Sequence, residues 1–261
     1  MATVGAPRGQ VMTPRQGRRD KGVRHGGYIV WEAVIAILMV ALAVAVKDHP
    51  TPLPGDAGVS VAWQHLLLPH QALATAVEDV STVAWPIPQA VVLAAVTLVL
   101  LALRRWLAAL LALATAGIAD GSNYLIAEVI RRPRPNGYGV HVLNHIAHYY
   151  SFPSGHVVHA FAYFGFLLFL TLTVPRAFRA APWLWPASIV LVALVVLMGP
   201  SRLLEGEHWP SDVLGGALYG LFWLVIAIHV YRWAAVRWPR GRPDPPVPLA
   251  ASQSCPILNE N

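Results

Sequence analysis

Charge is scarce in this chain. Only 12% of its 261 residues are Asp, Glu, Lys or Arg, against 56% hydrophobic. A soluble domain carries about a quarter charged residues, so an ordinary water-soluble globule is excluded. Cysteine is scarcer still: Cys255 stands alone near the C-terminus. That rules out an intrachain disulfide and a cysteine-ligated metal site. No internal repeat occurs. No cleavable leader is predicted, because the first apolar run is long and lacks a small-residue cleavage site. What the chain has in quantity is long uncharged runs, the mark of a membrane-embedded unit.

Six transmembrane helices are predicted, at about residues 28–46, 82–103, 106–130, 157–175, 183–200 and 212–231. The fold class expected is an all-α integral membrane bundle. Residues 58–78 carry His65, His70, Glu78 and Asp79 among apolar residues, and read as one amphipathic helix lying in the interface between the first and second spans. Residues 1–27 read as a disordered basic arm, 28–231 as the membrane domain, and 232–261 as a basic, Pro-rich tail. Fourteen of the nineteen Lys and Arg residues fall in the N-terminal arm, in the Arg104–Arg105 and Arg176–Arg179 loops, or in the C-terminal tail. The positive-inside rule therefore puts both termini in the cytoplasm of a multi-pass plasma-membrane protein. The other side holds Lys47, Arg131, Arg132, Arg134 and Arg202.

Four of those five cations lie in or beside three short motifs: Arg132-Pro133-Arg134-Pro135, Pro153-Ser154-Gly155-His156, and the run from Ser201-Arg202 to His208-Trp209-Pro210-Ser211-Asp212. Guanidinium keeps its proton and its planar fork matches phosphate. Histidine serves as nucleophile, acid or base near neutral pH. His208 and Asp212 are four apart, so on a helix they share a face, and a carboxylate at one ring nitrogen would free the other to attack. The alternative is a plain helix start with Asp212 near the positive end of the dipole. Ser154 and Gly155 can cap a helix and admit an anion to its N-terminus, with His156 as general acid, or can be an ordinary helix start. Arg134 and Arg202 either neutralise phosphate oxygens or snorkel to water. Four arginines beside apolar helices on the side poor in positive charge favour the first.

These motifs, in this order, resemble the type 2 phosphatidic acid phosphatase superfamily, which includes bacterial lipid phosphatases, glucose-6-phosphatase and vanadium-dependent haloperoxidases. The pattern is K-x6-R-P, then P-S-G-H, then S-R-x5-H-x3-D. The second and third elements match at every specified position, and the resemblance covers about Asp120 to Asp212 directly. It implies His208 as the nucleophile forming a phosphohistidine, Asp212 as its orienting carboxylate, and His156 as acid and then base. Arg134, Arg202, Ser154 and Gly155 are implied as phosphate ligands. It further implies a metal-independent phosphatase without cofactor, acting on a lipid phosphate in the bilayer: a polyprenyl diphosphate, phosphatidylglycerol phosphate or phosphatidic acid. Nucleic acid is not an expected partner, and oligomeric state is not readable. The first element departs from the pattern, for Ala127 stands where lysine is expected. Arg131 or Arg132 is the candidate to compensate. The missing cation keeps two other readings open, a lipid phosphotransferase using the same intermediate and a non-catalytic lipid-phosphate binder or transporter.

Other polar residues carry weaker expectations. His141, His145 and His148 could line one face of a loop helix at the substrate entrance, or hold a metal, though no carboxylate or cysteine accompanies them. Asp120 and Asn123, one turn apart in the third span, are expected to bond to a neighbouring helix, with the last span a candidate. His159 and His229 are expected to be packed or interfacial. Trp31, Trp85, Trp106, Trp183, Trp209 and Trp233 read as an aromatic belt.

Overall fold

The structure, a computed structural model, describes residues 14–143, 150–173 and 182–237, with side chains from residue 28 onward. Among the described residues every regular element is a helix, with no strand. The helices are α1 (Pro14–Asp48), α2 (Asp56–Leu67), α3 (Gln71–Thr82), α4 (Pro86–Ala102), α5 (Trp106–Ile130), α6 (Gly155–Leu172), α7 (Leu184–Leu204) and α8 (Pro210–Arg237). Five stretches are long and apolar enough to cross a bilayer: Tyr28–Asp48 of α1, and α5, α6, α7 and α8. Helices α3 and α4 form a sixth candidate only as a pair, bent by 64°. Proline at the first position of α4 sets that bend. The 17 residues of α4 rise about 25 Å, somewhat short of a hydrocarbon core of about 30 Å.

One expectation is corrected: the amphipathic segment is two helices rather than one, because Pro69 cannot continue α2. Helix α1 itself begins at Pro14, ahead of the first apolar run. Residues 1–13, Arg176, Arg179 and the tail from 238 lie outside the described residues, as do His145 and His148.

Helix α6 is the most buried span and packs against α5, α7 and α8. Small residues make this possible. Ala108, Ala112, Ala116, Ala119 and Asn123 form the buried stripe of α5, and small side chains let membrane helices approach closely. On α8, a Cβ at Gly216 would stand 2.7 Å from the Ser154 carbonyl oxygen, and one at Gly220 would stand 2.6 Å from Phe161 Cβ and 2.8 Å from Val158 O. These glycines let the starts of α6 and α8 lie side by side. Outward faces carry Ile37, Val91, Leu98, Ile118, Leu125, Ile189 and Val196, a ring of exposed apolar side chains suited to lipid rather than water.

Most of the expected aromatic belt is exposed at helix ends, but Trp209 is buried, with Tyr138 edge-on at 6.0 Å. At the far end of the bundle, Arg105 donates to the Tyr231 hydroxyl at 2.9 Å and Arg232 to that of Tyr28 at 2.7 Å. Asp120 Oδ2 accepts from His159 Nδ1 at 2.8 Å and from Gln89 Nε2 at 2.7 Å. It therefore ties α5 to α6 and α4 rather than to the last span, whose Tyr219 hydroxyl instead donates to Ser122 at 2.7 Å.

Gly220→Ala is expected to push α6 and α8 apart and to destabilise the bundle by about 1–3 kcal/mol, as overpacked cores do. Thermal unfolding of the detergent-solubilised protein measures this as a drop in Tm of several degrees.

Candidate active site

Five segments meet at one end of the bundle. Lys47, at the end of α1, donates to the Val129 carbonyl at 3.0 Å. After α5 the chain leaves the helix at Arg131 (φ +58°) and is held out of it by Pro133 and Pro135. The Ser151 N–H then bonds the Arg132 carbonyl at 2.8 Å, and the Ser154 N–H bonds the Asp212 carbonyl at 3.1 Å. Gly206 turns the chain between α7 and α8. Its φ of +70° and the His141 carbonyl oxygen, 2.2 Å from where a Cβ would stand, leave room for glycine alone.

His208 lies in that turn and is buried. Its Nδ1 is 2.8 Å from the Ser151 carbonyl oxygen. A carbonyl only accepts, so Nδ1 carries the proton and Nε2 offers its lone pair. The expected carboxylate is close to the same nitrogen but farther than the carbonyl, with Asp212 Oδ2 at 3.8 Å. Burial first, and next the charge of Arg134, lower the His208 pKa from its ordinary 6.5 to about 4, while Asp212 pulls the other way. The imidazole is thus neutral throughout the physiological range.

Arg134 Nη1 lies 3.5 Å from His208 Nε2 and donates to the Glu207 backbone carbonyl at 3.0 Å and to the Glu207 carboxylate. Arg202 is fully buried, and its Nη1 donates to Glu205 Oε2 at 2.7 Å. Its Nη2 stands 3.5 Å from Glu207 Oε2. Buried polar groups ordinarily find partners. Here Arg202 Nε and Nη2, Ser154 Oγ and His156 Nε2 have no hydrogen-bond partner among the described residues. Ser154 precedes α6 but its hydroxyl does not cap it, contrary to expectation. His156 is within electrostatic reach of Arg202, His208 and Arg134. A compact oxyanion can satisfy such a set of groups. Arg134 and Trp209 also line an open cleft of about 200 Å³ with Pro50, Pro133 and Tyr138.

Ala127 leaves the expected lysine missing, and the two candidate substitutes are placed differently. Arg131 is exposed and its Nε donates to the Glu128 carbonyl at 2.9 Å. Arg132 is fully buried among acids. Its Nη1 donates to Asp212 Oδ1 at 2.5 Å and to Ser211 Oγ at 2.7 Å, and its Nη2 donates to Asp56 Oδ2 at 2.8 Å. Asp56, the first residue of α2, also accepts from the Ser211 N–H at 2.9 Å. Asp212 Oδ2 accepts from the Trp209 N–H at 2.8 Å and from the Ser151 hydroxyl. The motif pattern identifies neither Asp56 nor Ser151, for one lies far upstream and the other acts through its carbonyl. Glu205 and Glu207 did leave a signal, two acids inside an otherwise apolar run. Asn123 abuts Gly155, its Nδ2 lying 3.3 Å from where a Cβ would stand. Among the described residues, no cluster of three His, Cys, Asp or Glu could hold a metal ion.

The model of the PAP2 superfamily matches residues 105–235, half of the chain and all of the motif-bearing part. The protein belongs to the PAP2 superfamily. It is 37% identical over 109 residues to the undecaprenyl-diphosphatase BcrC of Bacillus subtilis, covering 41% of this chain and 46% of that one. It is 38% identical over 90 residues to the putative undecaprenyl-diphosphatase YbjG of Escherichia coli, covering 34% and 39%. Lipid A 1-phosphatase of Rhizobium etli is 30% identical over 114 residues, covering 41% and 43%. The chain thus spans less than half the length of these curated relatives. The fold matches the crystal structure of a transmembrane PAP2-type phosphatidylglycerolphosphate phosphatase from Bacillus subtilis, with a TM-score of 0.62 at 23% identity, covering 77% of this chain and 96% of that one.

Asp56→Ala leaves Arg132 a buried cation short of one partner and is expected to destabilise the protein by about 3–5 kcal/mol, read as a fall in Tm in detergent. Arg131→Ala, at an exposed position, is expected to leave turnover within about twofold of the parent, because surface changes away from special features cost little.

Proposed function

We propose that this protein is an integral membrane lipid phosphatase that hydrolyses a phosphomonoester or diphosphate through a phosphohistidine on His208. The observation that carries the reading is the unprotonated His208 Nε2 lying 3.5 Å from Arg134 Nη1, beside buried Arg202 and Ser154 groups that have no hydrogen-bond partner among the described residues. Nε2 attacks phosphorus and the bond from phosphorus to the leaving oxygen breaks. His156 gives that oxygen its proton. In the second half His156 takes a proton from water, the resulting hydroxide attacks phosphorus, and the P–N bond breaks to release inorganic phosphate. Arg134, Arg202, the Ser154 hydroxyl and the backbone N–H groups at Gly155 hold the non-bridging oxygens. The reading is of metal-independent chemistry, with guanidinium groups as the cations that face the phosphate. Asp212, held by Arg132, favours the cationic imidazole formed in the transition state.

The substrate reading is a lipid whose phosphate meets the site at the bilayer surface, with its chains beside the helices. Fixing the lipid in two dimensions lowers the entropic cost of attack. The undecaprenyl-diphosphatases, the lipid A phosphatase and the phosphatidylglycerolphosphate phosphatase among its relatives support a lipid phosphate and favour a bacterial-envelope substrate. The topology proposed has six spans, with α3 and α4 counted as one bent crossing, and the unit spans residues 28–231. Both termini are cytoplasmic and the site is extracytoplasmic. The arginines at the end of the bundle opposite the site support that orientation.

Phosphate release by the purified protein over a panel of lipid phosphates tests the reading. Activity should survive EDTA and fall by at least a thousandfold in His208→Ala. A panel with no turnover, or an active His208→Ala, overturns it. The pH profile should be bell-shaped. kcat/KM reports the free enzyme, and the His208 lone pair is lost only as pH falls towards its pKa of about 4. Its acid limb should therefore lie well below pH 6.5. An acid limb at 6.5 contradicts the assignment.

A further inference from the structure

Glu207 sits where a phosphatase has reason to avoid a carboxylate. It is 1% exposed, and its Oε2 contacts Arg134 Nη1 and stands 3.5 Å from Arg202 Nη2. It thus bridges the two guanidinium groups assigned to the phosphate, next to the nucleophile in sequence. Glu205 differs: it holds the other end of Arg202, with Oε2 at 2.7 Å from Nη1, and is itself fixed by the Ser81 hydroxyl at 2.5 Å. The family motif leaves position 207 unspecified, and Ala127 withholds the lysine that would offset the extra negative charge.

The charges around Glu207 can be counted by element. The turn after α5 contributes Arg134 and Arg132, and the end of α7 contributes Arg202 and Glu205. The α7–α8 turn contributes neutral His208, α8 contributes Asp212, α6 contributes His156, and α2 contributes Asp56. Three arginines face four carboxylates. The fixed charges of the site therefore sum to no net positive charge with which to receive a dianion.

We infer that Glu207 is a specificity-determining residue that limits the charge of the phosphoryl group the site accepts, by occupying the guanidinium groups in place of one phosphate oxygen. A singly charged phosphoryl group, with one oxygen still protonated, fits beside the carboxylate: its P–O–H donates to Glu207 while its anionic oxygens take Arg134 and Arg202. A doubly charged group meets two negative oxygens of Glu207 with no proton to share. The proposal deepens the lipid-phosphatase reading and rests on its assignment of Arg134 and Arg202 to phosphate.

Binding of inorganic phosphate to the full-length protein in detergent tests it without requiring turnover. Near neutral pH phosphate passes from its singly to its doubly charged form. The parent protein should bind it progressively more weakly from pH 7.5 to 9, approaching tenfold per unit. Glu207→Gln keeps the shape and a hydrogen-bonding group but removes the charge. It should bind phosphate at least tenfold more tightly at pH 8.5 and with a flatter pH dependence, whereas Glu207→Asp should keep the parent's slope. Equal or weaker binding by Glu207→Gln, or no binding by either protein, overturns the role given to Glu207. The lipid-phosphatase reading is decided separately, by lipid-phosphate turnover and its loss in His208→Ala.

Discussion

The buried ion pair between Arg132 and Asp212 is the constraint on which this end of the molecule depends. Each ion alone in such a place would cost several kcal/mol, and their attraction offsets that cost only when every remaining lone pair and proton is satisfied. The surroundings meet most of that condition, although Arg132 Nε has no hydrogen-bond partner among the described residues. Asp56 takes the second Nη of Arg132, Ser211 bonds to both, and Trp209 and Ser151 complete the oxygens of Asp212. Four parts of the chain, from the start of α2, the turn after α5, the approach to α6 and the start of α8, are thereby fixed to one another. Helix packing alone positions backbones to within the slack of apolar contacts. This network of directed bonds fixes the polar ends.

The close approach of α6 and α8 serves the same end by other means. Gly216 and Gly220 remove the side chains that would hold the helices apart, and the Ser154 N–H reaches the Asp212 carbonyl as a result. The Pro153–His156 and His208–Asp212 motifs, more than 50 positions apart in the chain, become neighbours through two absent side chains and one backbone bond. The charged cluster then has polar walls on one side and a hydrophobic bundle beneath it.

Much of this was legible in the sequence because its carriers are residue types with few alternatives. Apolar runs marked α1, α5, α6, α7 and α8, and the three motifs picked out His156, His208, Asp212, Arg134 and Arg202, which the fold gathers at one end. The parts that were not legible share a cause: they depend on which partner a polar group finds after folding. Arg132 looked like a spare phosphate ligand but is committed to Asp56, a residue with no local mark beyond its place at a helix start. Asp212 was expected to bond the imidazole, yet the Ser151 carbonyl does so, and no pattern of side chains announces a backbone acceptor. Pro69 and the prolines at the start of α4 foretold breaks, but not that α2 would dock on the end of α7 through Trp63 and Gln64, whose donors reach the Pro200 and Leu204 carbonyls at 3.0 and 2.9 Å, or α3 through Ser81 on Glu205. Trp209 shares its residue type with the interfacial tryptophans and differs only in being covered.

The bond from His208 Nδ1 to the Ser151 carbonyl makes the regiochemistry of the imidazole a property of the main chain. No substitution of a neighbouring side chain deletes that acceptor, so the choice of ring nitrogen follows from where the backbone of Ser151 lies, and the Ser151 hydroxyl is itself bonded to Asp212.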